Sequence, residues 1–597
     1  MLRLQPPAIE VLRLTLTEKT QDAIKSSGRR TVVWICSLAT TLGFLEAWLG
    51  RNEMNSDGVS YLDLADAFAK GDWAHFINGY WSPLYPALLG MSFKILHPST
   101  RWQFPVTHLV NFLIYLATIV AFHYFITGVI EYQHWQFRND RTARLSETSW
   151  LVLGWALFIW SSLRLITLAV VSPDLAVAGC AYFAAGALLR TQLGSRKNSH
   201  YVLLGLALGI GYLAKAPMFP LAVVFLAACA LGLWKVKRPL SGVVLTVITF
   251  IVVAGPFIAA LARSEHRLTF GDSATLNYVW YVNHIPRYHW NGQFAGMGAS
   301  LHPTTRISET PVAYSFDGYG TYPIWENPVR WYEGIKPHLS LRSIGNQIVT
   351  HAGLYFELFW KLQSVLIVCL AALLLVGRAP LLAWRDAARW PLWPVAVAPF
   401  VMYAAVHVEP RMIAPFVVLF WIGCFAAVSL PRAGGSEQVV ASFTTATAWF
   451  LLATVLASTA GQLFTNRHGI FRAEGSAGVP LEVVRSLQNL GVRRGDPVAW
   501  IRPDQFDEGQ NYWWARLGGF KIVAEVPTGE GAAFWGADAG ARNNSIRAFA
   551  RTGVKVLIAT GVPPLASKDE WARLGKTSYY ALCLPTKHDA STRSNLE

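Results

Sequence analysis

Asn55-Ser56-Asp57-Gly58-Val59-Ser60-Tyr61-Leu62-Asp63-Leu64-Ala65-Asp66-Ala67-Phe68-Ala69-Lys70-Gly71-Asp72-Trp73 follows closely on an apolar run, Thr31–Gly50. The run has the length of a membrane span, about 20 residues. The stretch behind it differs in kind. Residues 58–70 set Asp63, Asp66 and Lys70 on one helical face at i, i+3 and i+7, with Tyr61, Leu62, Leu64, Ala65, Phe68 and Ala69 over the rest. Such a helix is expected to lie in the membrane interface, not across it. The apolar stretch that follows Trp81-Ser82-Pro83-Leu84-Tyr85-Pro86 and ends at Leu96 is too short to span and belongs there too.

The pattern of apolar runs repeats along the chain. Of 597 residues, 53% are hydrophobic and 15% charged, against about 25% charged in an ordinary globular protein. Mean hydropathy is +0.32. Disorder, a collagen-like fibre and a disulfide scaffold are excluded, and a polytopic α-helical membrane protein is expected. Beyond 31–50, candidate spans fall at 104–128, 149–166, 168–190, 201–215, 217–234, 240–262, 350–377, 390–407, 412–430 and 441–464, eleven in all. The first thirty residues hold no A-x-A cleavage site, so the first run reads as a retained span rather than a signal peptide.

Loop charge orients these spans. With residues 1–30 cytoplasmic, the inner loops are 129–148 (Arg138, Arg141, Arg144), 191–200 (Arg196, Lys197), 235–239 (Lys235, Lys237, Arg238), 378–389 (Arg378, Arg385, Arg389) and 431–440. The outer connections near 167 and 216 carry almost no charge. The net charge of +15 (51 Lys and Arg against 36 Asp and Glu) therefore reads as the positive-inside rule, not as a nucleic-acid footprint. The expected organisation is a cytoplasmic segment 1–30, a transmembrane domain 31–464 with outer loops 51–103 and 263–349, and an extracytoplasmic domain 465–597, in the inner membrane of a bacterium.

The last region has soluble composition. Helices at Leu481–Leu490, Glu508–Leu517 and Asn544–Thr552 alternate with strands at Pro497–Ile501, Lys521–Val526, Val554–Ala559 and Tyr579–Leu584, which predicts a small α/β domain with a largely parallel sheet. No GxGxxG follows a strand, so no dinucleotide site is expected. Of the six cysteines, Cys36, Cys180, Cys229, Cys369 and Cys424 lie in apolar runs and Cys583 does not; none has metal or disulfide spacing.

Four polar residues interrupt the apolar pattern. Asp57 opens the interfacial helix, where an N-cap is the bland explanation. Asp174, in Val171-Ser172-Pro173-Asp174-Leu175, begins a span, with Arg164 near enough along the preceding span to be its partner. Lys215, in Gly211-Tyr212-Leu213-Ala214-Lys215-Ala216-Pro217, is costly within a span unless it reaches an interface or an anion. Arg411 lies in the turn His407-Val408-Glu409-Pro410-Arg411-Met412, with Glu409 placed to orient it. Parity puts all four on the outer face, whereas unrelated structural charges would scatter between the two faces. Two cations beside a carboxylate at a membrane surface suit the phosphate of a lipid-linked sugar and a general base for an incoming hydroxyl or amine.

Asp57-Gly58-x-x-Tyr61, Gly71-Asp72-Trp73, Trp81–Pro86, Ser172-Pro173-Asp174, Gly205–Pro217 and Glu409-Pro410-Arg411, in that order, resemble the GT-C membrane glycosyltransferases. The similarity is to the bacterial branch related to protein O-mannosyltransferases and the lipid A aminoarabinose transferase, over residues 30–430. The resemblance implies a GT-C fold, Asp57 as catalytic base, Lys215 and Arg411 near the donor phosphate, Asp174 as an acid at a span's outer end, and Tyr61, Trp81 and Tyr85 in the substrate cavity. Gly58 stands where several relatives carry a second acid, so a paired-carboxylate or metal-assisted variant is not implied.

The second outer loop adds Asn277-Tyr278-Val279-Trp280-Tyr281, His284, Arg287-Tyr288-His289-Trp290-Asn291-Gly292 and Tyr322-Pro323-Ile324-Trp325-Glu326. Its rings suit sugar faces and its polar groups sugar hydroxyls, with Tyr281 as a cavity candidate; an interfacial aromatic belt is the competing explanation. His284, His289 and His302 fit no standard metal spacing, so no cofactor is indicated, while a divalent cation stays compatible with the sequence. The expected activity is transfer of a hexose or pentose from a polyprenyl phosphate to an extracytoplasmic glycan, lipid or protein, with inversion. A flippase for lipid-linked sugars would instead place charges along the middle of spans or repeat its helices. A non-catalytic receptor would work through the C-terminal domain.

Overall fold

A helix gains about 1.5 Å per residue, so about 20 apolar residues cross the ~30 Å hydrocarbon core. The computed structural model describes residues 30–138, 144–193, 197–235, 237, 239–285, 305–332, 335–376, 389–428, 436–465, 477–502, 512–561 and 570–585. Segment 1–29, the loop residues Arg141, Arg196, Arg238, Arg378 and Arg385, and Arg287–Gly292 and His302 lie outside the described residues, as do residues 508–511 of one expected helix.

All eleven apolar runs contain helix. Among the described residues, six helices are long and apolar enough to cross a membrane: α1 (Arg30–Leu49), then Thr100–Gln136, Glu147–Ile166, Met218–Lys235, Ser241–Ser264 and Gln438–Phe464. A seventh span arises if Leu341–Leu362 and Ser364–Leu375, which meet at a 68° bend, count as one. The chain is an integral membrane protein. The helices Asp174–Gln192, Asn198–Ala214, Trp393–Ala404 and Pro410–Ala426 hold the other four positions without meeting those combined limits. The physical reason is local: the polar breaks around Lys215-Ala216-Pro217 and Glu409-Pro410-Arg411 shorten their helices, and Asp174–Gln192, long enough at 19 residues, is made less apolar by Asp174, Arg190 and Gln192 at its ends.

Between α1 and the next span come α2 (Ser56–Lys70) and α3 (Leu84–Leu96), which pack on each other. Helix α4 (Gln103–Gln136) packs along α6 (Asp174–Gln192), and α5 (Glu147–Trp160) along the last membrane helix, Ser436–Thr465. Between α6 and the long helix Ser241–Ser264 lies α7 (Asn198–Ala214). A Cβ at Gly205 would come 2.5 Å from the Thr246 carbonyl oxygen, so this glycine lets two backbones touch. Their shared core is filled by side chains such as Phe122, Trp155, Phe158, Tyr182 and Tyr212.

The sheet is not confined to residues 465–597. Strands β1 (Thr305–Glu309) and β2 (Val312–Ser315) come from the second outer loop and join β3 (Pro497–Ile501), β4 (Lys521–Val526), β5 (Val556–Thr560), β6 (Ala572–Arg573) and β7 (Tyr579–Cys583) in the order β1-β2-β4-β3-β5-β7-β6. Only β4-β3-β5 is parallel; every other pairing is antiparallel. The expected largely parallel sheet is thus corrected to a parallel centre with antiparallel flanks. Strand β3 is apolar along most of its length and buried from Val498 onward, as a central strand covered on both faces must be. The outer strand β1 carries Arg306 and Glu309, charges that discourage edge pairing.

The acidic part of α2's polar face is enclosed, with Asp63 buried and Asp66 half-buried, while Lys70 is exposed. Arg516, on a short helix Trp513–Gly518, donates to Asp63 at 2.9 Å and to Asp66 at 2.7 and 3.2 Å. Asp63 also accepts the Thr321 N–H and hydroxyl, both at 2.7 Å. One carboxylate therefore joins α2, the second outer loop and the C-terminal domain, and the expected interfacial helix is enclosed by protein on the side that carries its acids.

Candidate active site

The site is built where three chain breaks meet. Asn55 occupies the N-cap position of α2 in extended conformation without capping it. Its side chain instead brackets Val171, accepting the Val171 N–H at 3.0 Å and donating to the Val171 carbonyl at 3.4 Å. This pins the start of α2 to the segment that leads into α6. Gly58 makes the approach possible, because a Cβ there would lie 2.5 Å from the Met54 sulfur and 2.8 Å from Val171 Cβ. A second acid at position 58 would have no room, which explains why this chain carries a single acid there.

Asp57 is in the first turn of α2 and makes no capping bond, so the N-cap explanation does not hold. Its carboxylate accepts from Arg411 Nη2 at 3.2 Å. Arg411 is the second residue of helix Pro410–Ala426, whose N-terminal proline has no N–H to satisfy. The same guanidinium donates from Nε to Glu409 at 2.5 Å and faces Asp174 at 3.5 Å through Nη1. Asp174 in turn accepts from Lys215 Nζ at 2.6 Å and from the Ser172 hydroxyl at 3.0 Å. Asp57, Asp174, Lys215 and Arg411, spread over 355 positions of sequence (57 to 411), form one continuous ionic network.

Exposure separates the carboxylates. The Asp174 side chain is 2% exposed and closed in by cations, whereas Asp57 is 35% exposed. Burial raises the Glu409 carboxyl, but the hydrogen bond from His407 and the charge and hydrogen bond of Arg411 outweigh it and hold Glu409 well below the usual carboxylate range. His407 reaches Glu409 at 3.2 Å and stacks its ring on Tyr281 with centroids 4.1 Å apart.

Asp57, Glu409 and Arg411 line an open cleft of about 490 Å³, together with Arg164, Thr167 and Val170. The expected Arg164–Asp174 pair does not exist. Asp174 is saturated by Lys215, Arg411 and Ser172, and Arg164 hydrogen-bonds the Ser458 hydroxyl.

The aromatic residues expected in the cavity are placed elsewhere. Tyr61 packs edge-on against Trp81 and Tyr85, with centroids 4.9 and 5.0 Å away, and all three are buried outside the cleft. Trp81 Nε1 donates to the Trp325 carbonyl at 2.9 Å and the Tyr85 hydroxyl to Asn111 at 2.6 Å. Large rings with satisfied polar tips make good core, and that requirement outranks sugar contact here. Tyr322 and Trp325 are likewise buried in the core shared with the C-terminal domain. Tyr281 stays one layer behind the cleft, through His407. Asn55, Thr167 and Arg516 escaped the sequence reading; an arginine between Trp513-Trp514 and Leu517 was the visible signal for the last. Among the described residues no three His, Cys, Asp or Glu side chains are grouped to hold a metal ion.

No protein-family model matches the sequence, and no curated protein matches it significantly. Among solved structures, the chain is similar to ArnT from Cupriavidus metallidurans bound to undecaprenyl phosphate, at 12% identity over 92% of this chain and 97% of that one, with a TM-score of 0.45. It is also similar to the Archaeoglobus fulgidus oligosaccharyltransferase in complex with zinc and sulfate, at 12% identity over 89% of this chain and 68% of that one, with a TM-score of 0.43. Likenesses this distant assign no residue and no activity to this chain.

Proposed function

We propose that this protein is a GT-C-type membrane glycosyltransferase that moves a hexose or pentose from a polyprenyl phosphate to an acceptor on the outer side of a bacterial inner membrane, its N-terminus being cytoplasmic. The observation that carries this reading is that Asp57, Asp174, Lys215 and Arg411 form one ionic network whose Asp57 and Arg411 line an open cleft.

In the proposed reaction the acceptor's hydroxyl or amine attacks the anomeric carbon in line with the phosphate. A bond forms between acceptor and C1, the C1–O bond to phosphate breaks, and the electron pair leaves with the polyprenyl phosphate. The acceptor's proton passes to Asp57, which is as exposed as Glu409 but held less closely by Arg411, at 3.2 Å against 2.5 Å, and the anomeric configuration inverts. Lys215 and Arg411 stabilise charge on the departing phosphate, as fixed cations in a poorly hydrated site do. Asp174 and Glu409 hold those cations in place beforehand. Arg411 also links the two halves of the chemistry: a phosphate that draws it away from Asp57 frees that carboxylate to act as base.

The test is transfer by the purified protein in lipid vesicles, using radiolabelled polyprenyl-phosphate sugars and extracted envelope acceptors. Wild type is expected to turn over at least one donor. Asp57→Asn should lose about 10²-fold or more, the usual worth of a positioned general base. Absence of turnover and binding with every such donor overturns the reading; full activity in Asp57→Asn removes Asp57 from the role.

A further inference from the structure

Beside Asp57, Arg411 makes three contacts with carboxylates, and Lys215, behind the cleft lining, makes one, so neither cation is free to meet a ligand. Arg411 is engaged by Glu409, Asp57 and Asp174, and Lys215 by Asp174. Three carboxylates against two cations leave the network formally negative, the wrong sign for first contact with a phosphate. A third cation is needed, and Arg164 in the lining of the same cleft supplies it.

We propose that Arg164 is the residue that first binds the donor's phosphate, and that Lys215 and Arg411 take up its charge only afterwards. This rests on the glycosyltransferase reading above and assigns the docking step that reading leaves open. Arg164 is exposed and lines the cleft. Among the described residues its hydrogen-bond partner is the neutral hydroxyl of Ser458, through Nη1, and no carboxylate forms an ion pair with it. Glu46, a carboxyl that feels its charge, is buried and makes no hydrogen bond to it. A guanidinium has five N–H donors in a fixed fork suited to phosphate oxygens, so most of its capacity remains for a ligand.

The backbone supports the assignment. Arg164 sits in a π-helical turn, Ser161–Ile166, at the end of the span Glu147–Ile166. Thr167 then adopts φ 64°, a conformation β-branched residues rarely hold. Wide turns and left-handed non-glycine residues persist mainly where function maintains them. Their position at a span's end places Arg164 at the depth of lipid phosphates, with the lipid tail free to remain in the bilayer.

The experiment titrates the full-length protein in phosphatidylcholine nanodiscs with undecaprenyl phosphate, with phosphatidylglycerol and with inorganic phosphate. Undecaprenyl phosphate should bind wild type at least tenfold more tightly than the other two. R164A should weaken it by about tenfold or more, the worth of one charge-assisted contact, and R164K should recover part of the loss. R164Q, which can keep the Ser458 hydrogen bond while losing the charge, carries the same expectation if R164A unfolds. Failure of wild type to bind undecaprenyl phosphate overturns the glycosyltransferase reading itself. Binding by wild type that R164A and R164Q leave within twofold overturns only the role of Arg164. Equal, Arg164-dependent binding of phosphatidylglycerol or of inorganic phosphate overturns it as well, by making the site a general headgroup or free-phosphate site.

Discussion

Replacing Arg516 tests whether the helix that carries Asp57 is held by the C-terminal domain. The Arg516 side chain is 4% exposed and so is that of Asp63, while Asp66 is 28% exposed. At Asp63 burial pushes the carboxyl up against the pull of Arg516; at Asp66 burial also works upward, but Arg516's charge and hydrogen bonds outweigh it and lower the carboxyl. Arg516→Met keeps most of the volume and removes the cation, leaving two acids without their main partner. Breaking a buried pair from one side costs about 3–5 kcal/mol. Asp63 keeps its two bonds from Thr321, so the lower end, about 3 kcal/mol, is expected, or roughly a 150-fold shift in the docking equilibrium.

Thermal unfolding followed by tryptophan fluorescence, with hydrogen exchange along residues 56–70 and 512–526, reads this directly. Exchange in α2 should rise together with the fall in stability. Adding Asp63→Asn and Asp66→Asn to Arg516→Met should recover at least half of the loss, because the stranded charges are then gone while an amide can still accept from Thr321. A single variant within about 0.5 kcal/mol of wild type, a value typical of surface changes, refutes the reasoning. So does a triple variant no better than the single one.

Other perturbations give distinct readouts. Lys215→Ala leaves Asp174, almost wholly buried, with Arg411 and Ser172 alone, and should lower stability by about 2–3 kcal/mol, somewhat below the usual cost for a broken buried pair; unchanged thermal unfolding would show that Asp174 needs only Arg411. Glu326 is raised to about 8 by burial and by the nearby Asp63 charge. Its folded value lies above its ordinary value of 4.5, so its contribution to stability is full below that ordinary value and is lost as pH rises through about 8. Glu326→Gln should flatten the decline in melting temperature between pH 6 and 9 that wild type shows, and parallel curves would refute the assignment. Deleting residues 470–597 removes Arg516 and strips β4 from β2; proteolysis should then cut the second outer loop, and a loop as resistant as in the intact protein would mean that it folds alone.

The helical membrane architecture was legible because a bilayer penalises every misplaced charge. Asp57, Asp174, Lys215 and Arg411 stood out against apolar surroundings, and loop charge put them on one face before any contact was known. Their exact pairing was not legible, since a one-dimensional reading offered Arg164 to Asp174 on proximity alone, whereas Lys215 comes from a different span 41 positions away. In the soluble part the same logic fails. Water tolerates charge, so Arg516 looked like any surface arginine, and nothing in β2 announces that a partner strand lies some 200 residues on, at Glu525. Aromatic residues carried the least information. Tyr61, Trp81 and Tyr85 satisfy the demands of a sugar site and of a core equally well, and only packing distinguishes the two.

These failures and successes meet in α2. Its first turn presents Asp57 to the cleft, its N-cap side chain grips Val171, Gly58 lets it close on that segment, and its acidic face is clamped by Arg516 and Thr321. A base whose helix is fixed from three directions needs little reorganisation when a proton arrives, and preorganisation of that kind can supply a large part of a catalytic effect. The C-terminal domain and the second outer loop therefore bear on the proposed chemistry through the placement of α2. They complete one core with α2, and Asp57, which that helix presents to the cleft beside Ser56 and which a cation holds there, is the residue proposed to take the proton.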